Sequence, residues 1–119
     1  MISRVSENGT SRVLTGYNSA INQQTGTTYT LTVDDLGKLV ELNNAASITL
    51  TVPTDANANF LIGDRVDIVQ TGAGQVTVVG ASGVAVNATP GLKLSTQWSA
   101  ASLIKRAANT WLLVGDLTS

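Results

Sequence analysis

The chain has no cysteine and no histidine. Without cysteine it can form neither a disulfide nor a thiolate metal site. Without histidine it lacks the side chain that most often serves as general base and proton carrier near neutral pH. Serine and threonine are abundant, yet the usual partner that activates them is missing. Charge is also scarce: charged residues make up 13%, against about 25% in an ordinary soluble domain. Seven basic and eight acidic residues leave a net charge of −1. They form no basic stripe, so nucleic acid is not an expected partner. No apolar run approaches about 18 residues, so no membrane-spanning helix is expected. The polar N-terminus lacks the apolar core of a secretory signal.

What is present is a succession of short alternating strands. At 119 residues the chain is expected to be one domain with a short appendage. Residues 1–27 carry Asn8-Gly9-Thr10-Ser11 and Asn22-Gln23-Gln24-Thr25-Gly26-Thr27, and their apolar residues keep no period. They read as an extended N-terminal arm, either a frayed terminus or a segment that lies on a neighbour. From residue 28 to residue 119 the pattern is that of an all-β module. Ser47-Ile48-Thr49-Leu50-Thr51-Val52 is the clearest strand: Ile48, Leu50 and Val52 share one face, and Pro53 ends it. Arg65 to Gln70, then Thr71-Gly72-Ala73-Gly74, then Gln75 to Val79 reads as a hairpin. Gln97 to Arg106 and Trp111 to Val114 complete the set. Eight or nine such strands predict an antiparallel β-sandwich or barrel. The expected core is Leu31, Val33, Leu50, Val52, Val66, Ile68, Val76, Val78 and Trp111.

Motifs that suggest chemistry fail on inspection. Asp55-Ala56-Asn57-Ala58-Asn59 opens like a calcium loop, but Phe60 stands where glycine is needed and Val66 where a glutamate should close the site. Gly72-Ala73-Gly74 lacks the third glycine and the lysine of phosphate-binding loops. Asp34/Asp35 and Asp64/Asp67 are better explained by turns and solubility than by a two-carboxylate cleft. No catalytic residue, cofactor site or metal site is therefore expected. Among the few aromatics, Trp111 reads as core. Trp98, between Gln97 and Ser99, reads either as core or as an interface anchor.

Several stretches resemble a recurrent module of tailed-bacteriophage virion proteins. They are Asp35-Leu36-Gly37-Lys38-Leu39-Val40, Ile48-Thr49-Leu50-Thr51-Val52-Pro53, Gly63-Asp64-Arg65-Val66 and Gln70 to Val78. Leu103-Ile104-Lys105 and Asn109 to Leu117 extend the resemblance over about residues 27–118. Similar modules occur in tail fibres, spikes and head-decoration proteins, and the resemblance brings no catalytic residues with it. It implies a non-enzymatic virion protein, made in the bacterial cytoplasm. A module standing behind only a short arm suits a capsid decoration (cement) protein. Its expected partners are its own copies, as a homotrimer, and the major capsid protein or another virion protein. A tail-fibre, collar or receptor-binding component is the alternative, and a carbohydrate-binding module is an alternative of another class. In the decoration reading the arm is a clamp that touches a neighbour through Arg4, Arg12, Val13, Leu14 and Tyr17, and Trp98 is a further contact.

Overall fold

The computed structural model describes residues 21–119. It is a β-solenoid of about three turns, not a sandwich or barrel. The eleven strands among the described residues are β1 (Ile21–Gln24), β2 (Thr28–Thr30), β3 (Leu39–Leu42), β4 (Ile48–Val52), β5 (Arg65–Gln70), β6 (Val76–Gly80), β7 (Ala85–Asn87), β8 (Lys93–Leu94), β9 (Ala100–Ala107), β10 (Thr110–Gly115) and β11 (Leu117–Thr118). One sheet has six strands in the order β1-β3-β5-β9-β10-β7, and the other has five in the order β11-β8-β6-β4-β2. Each coil lays one strand in each sheet: β1 and β2, then β3 and β4, then β5 and β6. Like strands of successive coils pair in parallel. Residues 21–27, read above as the end of the arm, build the first coil; residues 1–20 lie outside the described residues.

The expected antiparallel fold is corrected at one place above all. β5 and β6 do not pair with each other. Val66 and Ile68 lie in the six-stranded sheet, Val76 and Val78 in the five-stranded one. Thr71-Gly72-Ala73-Gly74 is thus a corner between sheets, and it stacks on the corner of the coil below. A Cβ on Gly72 would strike Asn43 Oδ1 and the Asn44 backbone, and one on Gly74 would overlap the Ala46 carbonyl. The glycines are there because coils sit one strand spacing apart, about 4.8 Å.

Alternation does the rest. In β4 the inward residues Ile48, Leu50 and Val52 are buried, as are Val66 and Ile68 of β5 and Val76 and Val78 of β6. Outward positions are largely threonine: Thr28, Thr49 and Thr77 stand in one rank, Thr30 and Thr51 in the next. Threonine suits such a half-exposed pleated face. Val33 departs from expectation. It leaves the sheet in a 3-10 turn (Val33–Asp35) and is 46% exposed.

Among the described residues, the two ends of the solenoid are closed differently. Apart from the buried Leu31, the interior of the first coil is polar. Asn22 and Gln24 stand in register with Val40 and Leu42, and Tyr29 with Leu50. Asp35, 1% exposed, gathers this end: its carboxylate accepts from Asn22 Nδ2 (2.8 Å), Tyr29 Oη (2.7 Å) and the Thr32 N–H (3.0 Å). The apolar column thus ends in a hydrogen-bonded plug rather than in open hydrocarbon, as a terminal solenoid unit requires. At the other end β9 and β10 form an antiparallel hairpin against β5. It carries Leu103, Leu113 and Trp111 into the core, where the Trp111 ring meets Phe60 edge-on at 5.1 Å.

The hairpin is latched to the long β4–β5 connection by a buried cation. Lys105 Nζ donates to Asp55 Oδ1 (2.7 Å) and to the Phe60 carbonyl (2.7 Å). Asp55 and Asn109 then exchange two bonds, Asn109 N–H to Oδ2 (3.0 Å) and Asp55 N–H to Asn109 Oδ1 (2.8 Å). The carboxylate that opened the calcium-like sequence is therefore occupied by a lysine.

Candidate interaction surface

Two corners run up the solenoid. The first, between the strands of each coil, is built from residues 25–27, 43–47 and 71–75, and residues 95–99 form a fourth layer on top. Its layers are joined by backbone bonds: Asn43 N–H to the Gln24 carbonyl, Thr71 N–H to the Leu42 carbonyl, and Gly74 N–H to the Asn44 carbonyl. Asn44 adds a side-chain rivet, with Nδ2 on the Thr25 carbonyl (2.7 Å) and Oδ1 accepting from the Ala46 N–H (2.8 Å). These layers show amides, hydroxyls and alanine to solvent.

Trp98 sits in the top layer. Sequence reasoning placed it in a strand, but β9 begins only at Ala100. Trp98 is 69% exposed, and its backbone takes a left-handed conformation (φ 74°). That conformation costs a residue with a Cβ about 1–2 kcal/mol. It persists because the loop is held on both sides. The Trp98 N–H donates to the Gln70 carbonyl (2.6 Å), and the Gln70 N–H donates to the Ser99 carbonyl (3.0 Å). Gln97 Nε2 reaches the Thr71 carbonyl (3.0 Å). Behind the loop, Ser99 Oγ and Ser95 Oγ donate to the two Asp116 carboxylate oxygens (2.6 and 2.9 Å). Those bonds, Ser99's first, hold the Asp116 carboxyl below its ordinary pKa. The Ser95–Ser99 spacing and Asp116 were the readable signal for this brace, and it was missed.

Below Trp98 on the same corner lies a groove of about 120 Å³ lined by Gln23, Gln24, Thr25, Glu41, Asn43 and Thr71. Its lining draws on all three coils. The only charge in it is Glu41, which accepts from Gln23 Nε2 (3.1 Å).

The six-stranded sheet holds a second, more open depression, of about 320 Å³, on its outer face. Arg65 Nε meets Asp67 Oδ1 at 3.1 Å, and Ser102 Oγ donates to the same oxygen at 2.6 Å. A serine on a carboxylate invites a catalytic reading. The Ser102 bond and the Arg65 charge hold the Asp67 carboxyl below its ordinary pKa, which makes it a weaker base. The trio is a surface network.

Arg4, Arg12, Val13, Leu14 and Tyr17 lie outside the described residues. No group of metal-ligating side chains occurs among the described residues. No protein-family model matches the chain, and no curated protein matches it.

Proposed function

We propose that the chain is a bacteriophage virion structural protein without enzymatic activity, a capsid decoration protein that binds the outer shell as an oligomer and stabilises it. The stretches that resemble virion modules supply the framework of the solenoid: β4, the entry to β5, the corner after Gln70 and the β9–β10 hairpin. They are turn-and-strand patterns rather than catalytic signatures, which suits a structural role. The observation that carries the adhesive reading is at the second corner, where the chain crosses back between coils. Val33 (46% exposed) and Leu36 (43%) lie on one crossing, Leu61 (64%) and Ile62 (70%) on the next. Large apolar side chains gathered on one edge of a sparsely charged protein favour contact with another protein surface.

The test uses purified particles stripped of this protein. Leu61→Ser with Ile62→Ser is expected to abolish rebinding while the β-sheet circular dichroism stays unchanged. Rebinding at wild-type occupancy would remove the basis for the proposal. Copy number in an electron-microscopy map separates a shell protein, present in hundreds, from a tail component, present in a handful. The clamp role of the arm is tested by deleting residues 2–20, which should release the protein from particles and leave the solenoid folded.

A further inference from the structure

We infer that the first corner, from Trp98 down to Gln23, binds an extended neutral glycan chain. The argument begins with a conflict at Trp98. Its backbone adopts a conformation that glycine would take more cheaply, and the residue is 69% exposed, so little of it is packed into the fold. The loop is nevertheless fixed by hydrogen bonds to Gln70, Thr71 and Asp116. A large, rigid, amphipathic ring presented at small conformational cost is what a stacking platform needs.

The surface beside it decides what stacks there. An apolar partner would call for an apolar lining, and a phosphate or sulfate for cations. The groove offers the side chains of Gln23, Thr25, Asn43 and Thr71, with Glu41 as its one charge, while the Gln24 amide at its foot is turned inward onto Asn22 Oδ1 (2.9 Å). Amides and hydroxyls both donate and accept, which matches the ring hydroxyls of a sugar. The C–H face of a pyranose is the complement of an indole face. Glu41 adds an acceptor and repels anionic polymers.

Layer spacing fixes the length. Gln97 and Trp98 stack above Thr71, Asn43 lies one coil lower, and Gln24 lies one below that. Three strand spacings give about 14 Å. A single sugar cannot span it, and a short chain can. The inference does not rest on the virion reading, because it concerns the opposite corner and is measured on free protein.

Fluorescence offers a direct test, because the chain has two tryptophans and they differ. Trp98 is exposed and Trp111 is 1% exposed. The full-length protein is titrated with dextran, laminarin, galactomannan and a neutral bacterial O-polysaccharide, with heparin and alginate as anionic counterparts. The expected result is saturable quenching or a blue shift of the long-wavelength emission with at least one neutral polymer, and no change in the Trp111 component. Affinity should fall at least tenfold in Trp98→Ala and in Gln23→Ala, and the free monosaccharide should bind far more weakly than its polymer. Trp98→Gly keeps the backbone conformation without strain, so it separates loss of the ring from loss of the loop; it too should lose binding, with no drop in melting temperature. Binding of the anionic polymers alone would overturn the inference. So would full affinity in Trp98→Ala, no binding to any neutral polymer, or a Trp98 emission already blue-shifted in the free protein.

Discussion

Removing the Asp55 carboxylate should cost far more than its position on a surface loop suggests. Lys105 is 5% exposed in its side chain and Asp55 31%. In Asp55→Ala the ammonium would keep a single protein acceptor, the Phe60 carbonyl. Breaking a buried pair from one side costs about 3–5 kcal/mol, because the remaining charge stays desolvated and unpaired. Partial exposure of Asp55 lets water approach, which softens the loss. Lys105→Met should be milder, since no buried charge is left behind and the stem keeps its packing. The double variant Asp55→Ala, Lys105→Met is then expected to be more stable than Asp55→Ala alone. Urea unfolding of the four proteins at neutral pH measures the set. Acid should erode the same interaction. The Lys105 hydrogen bond, followed by the Asn109 N–H, holds the Asp55 carboxyl below its ordinary pKa. Its contribution is therefore complete above the unfolded pKa of about 3.9 and lost as pH falls through the depressed folded value. An Asp55→Ala protein as stable as the wild type, or a double variant no better than the single, would refute the latch.

Three further outcomes follow from the packing. Leu50→Ala, at a fully buried position, should lower the unfolding free energy by about 2–5 kcal/mol in denaturant melts. Gly74→Ala places a methyl group on the Ala46 carbonyl of the coil below; about 3 kcal/mol should be lost, since backbone cannot yield as a side chain does. Burial first, and then the Asp35 carboxylate, push the Tyr29 phenol up to about 12. That raised value makes its share of stability complete below the ordinary pKa of about 10 and lost as pH rises toward 12. Tyr29→Phe should therefore be the less stable protein at neutral pH, with the gap closing over that alkaline window in pH-dependent melts.

The strands and their faces were legible, but their partners were not. Alternation at Ile48, Leu50 and Val52 and at Val66, Ile68, Val76 and Val78 placed each side chain on the correct side. A period of two carries no information about which strand lies alongside. A hairpin turn and a solenoid corner both want glycine, so Gly72 and Gly74 pointed equally to either. The deciding signal was present elsewhere. A shift of 28 residues carries Val40 onto Ile68, and the same shift carries Ile48 onto Val76 and Leu50 onto Val78. The shorter first corner hid it, because Ile21 pairs with Leu39 while Thr28 pairs with Thr49, so the first coil keeps no single offset. Where the two coils differ, chemistry explains why. Gln70 follows Leu42 in the stack, and its amide stays inside to accept from the Val76 N–H (3.0 Å) and close the corner. Lys105 was readable as inward, since it continues the alternation of Ala101 and Leu103. Its acceptor, fifty residues away in Asp55, was not. Trp98 was misplaced because Gln97 to Arg106 looks like one strand, and only the Ser95–Asp116–Ser99 brace breaks it.

A solenoid of so few coils has little interior between its ends, so the ends decide whether it stands. Here polar side chains that sequence reasoning placed in a turn (Asp35), in the arm (Asn22) or in a strand (Lys105) are used as closures. Asp35 with Asn22 and Tyr29 seals one end, and Lys105 with Asp55 and Asn109 fastens the hairpin over the other. Each consumes a carboxylate that a catalytic or metal site would have needed free. The inner faces of the sheets are taken up by core packing, with threonine on the outer face of one and the Arg65–Asp67–Ser102 network on that of the other. What remains for recognition is the two corners, whose loops can change length without disturbing strand register, as residues 25–27 and 43–47 already do. One corner is polar with a single indole, and the other carries four exposed aliphatic side chains, Val33, Leu36, Leu61 and Ile62. Their chemistries differ too much to serve the same partner, so a variant that abolishes one contact should leave the other intact.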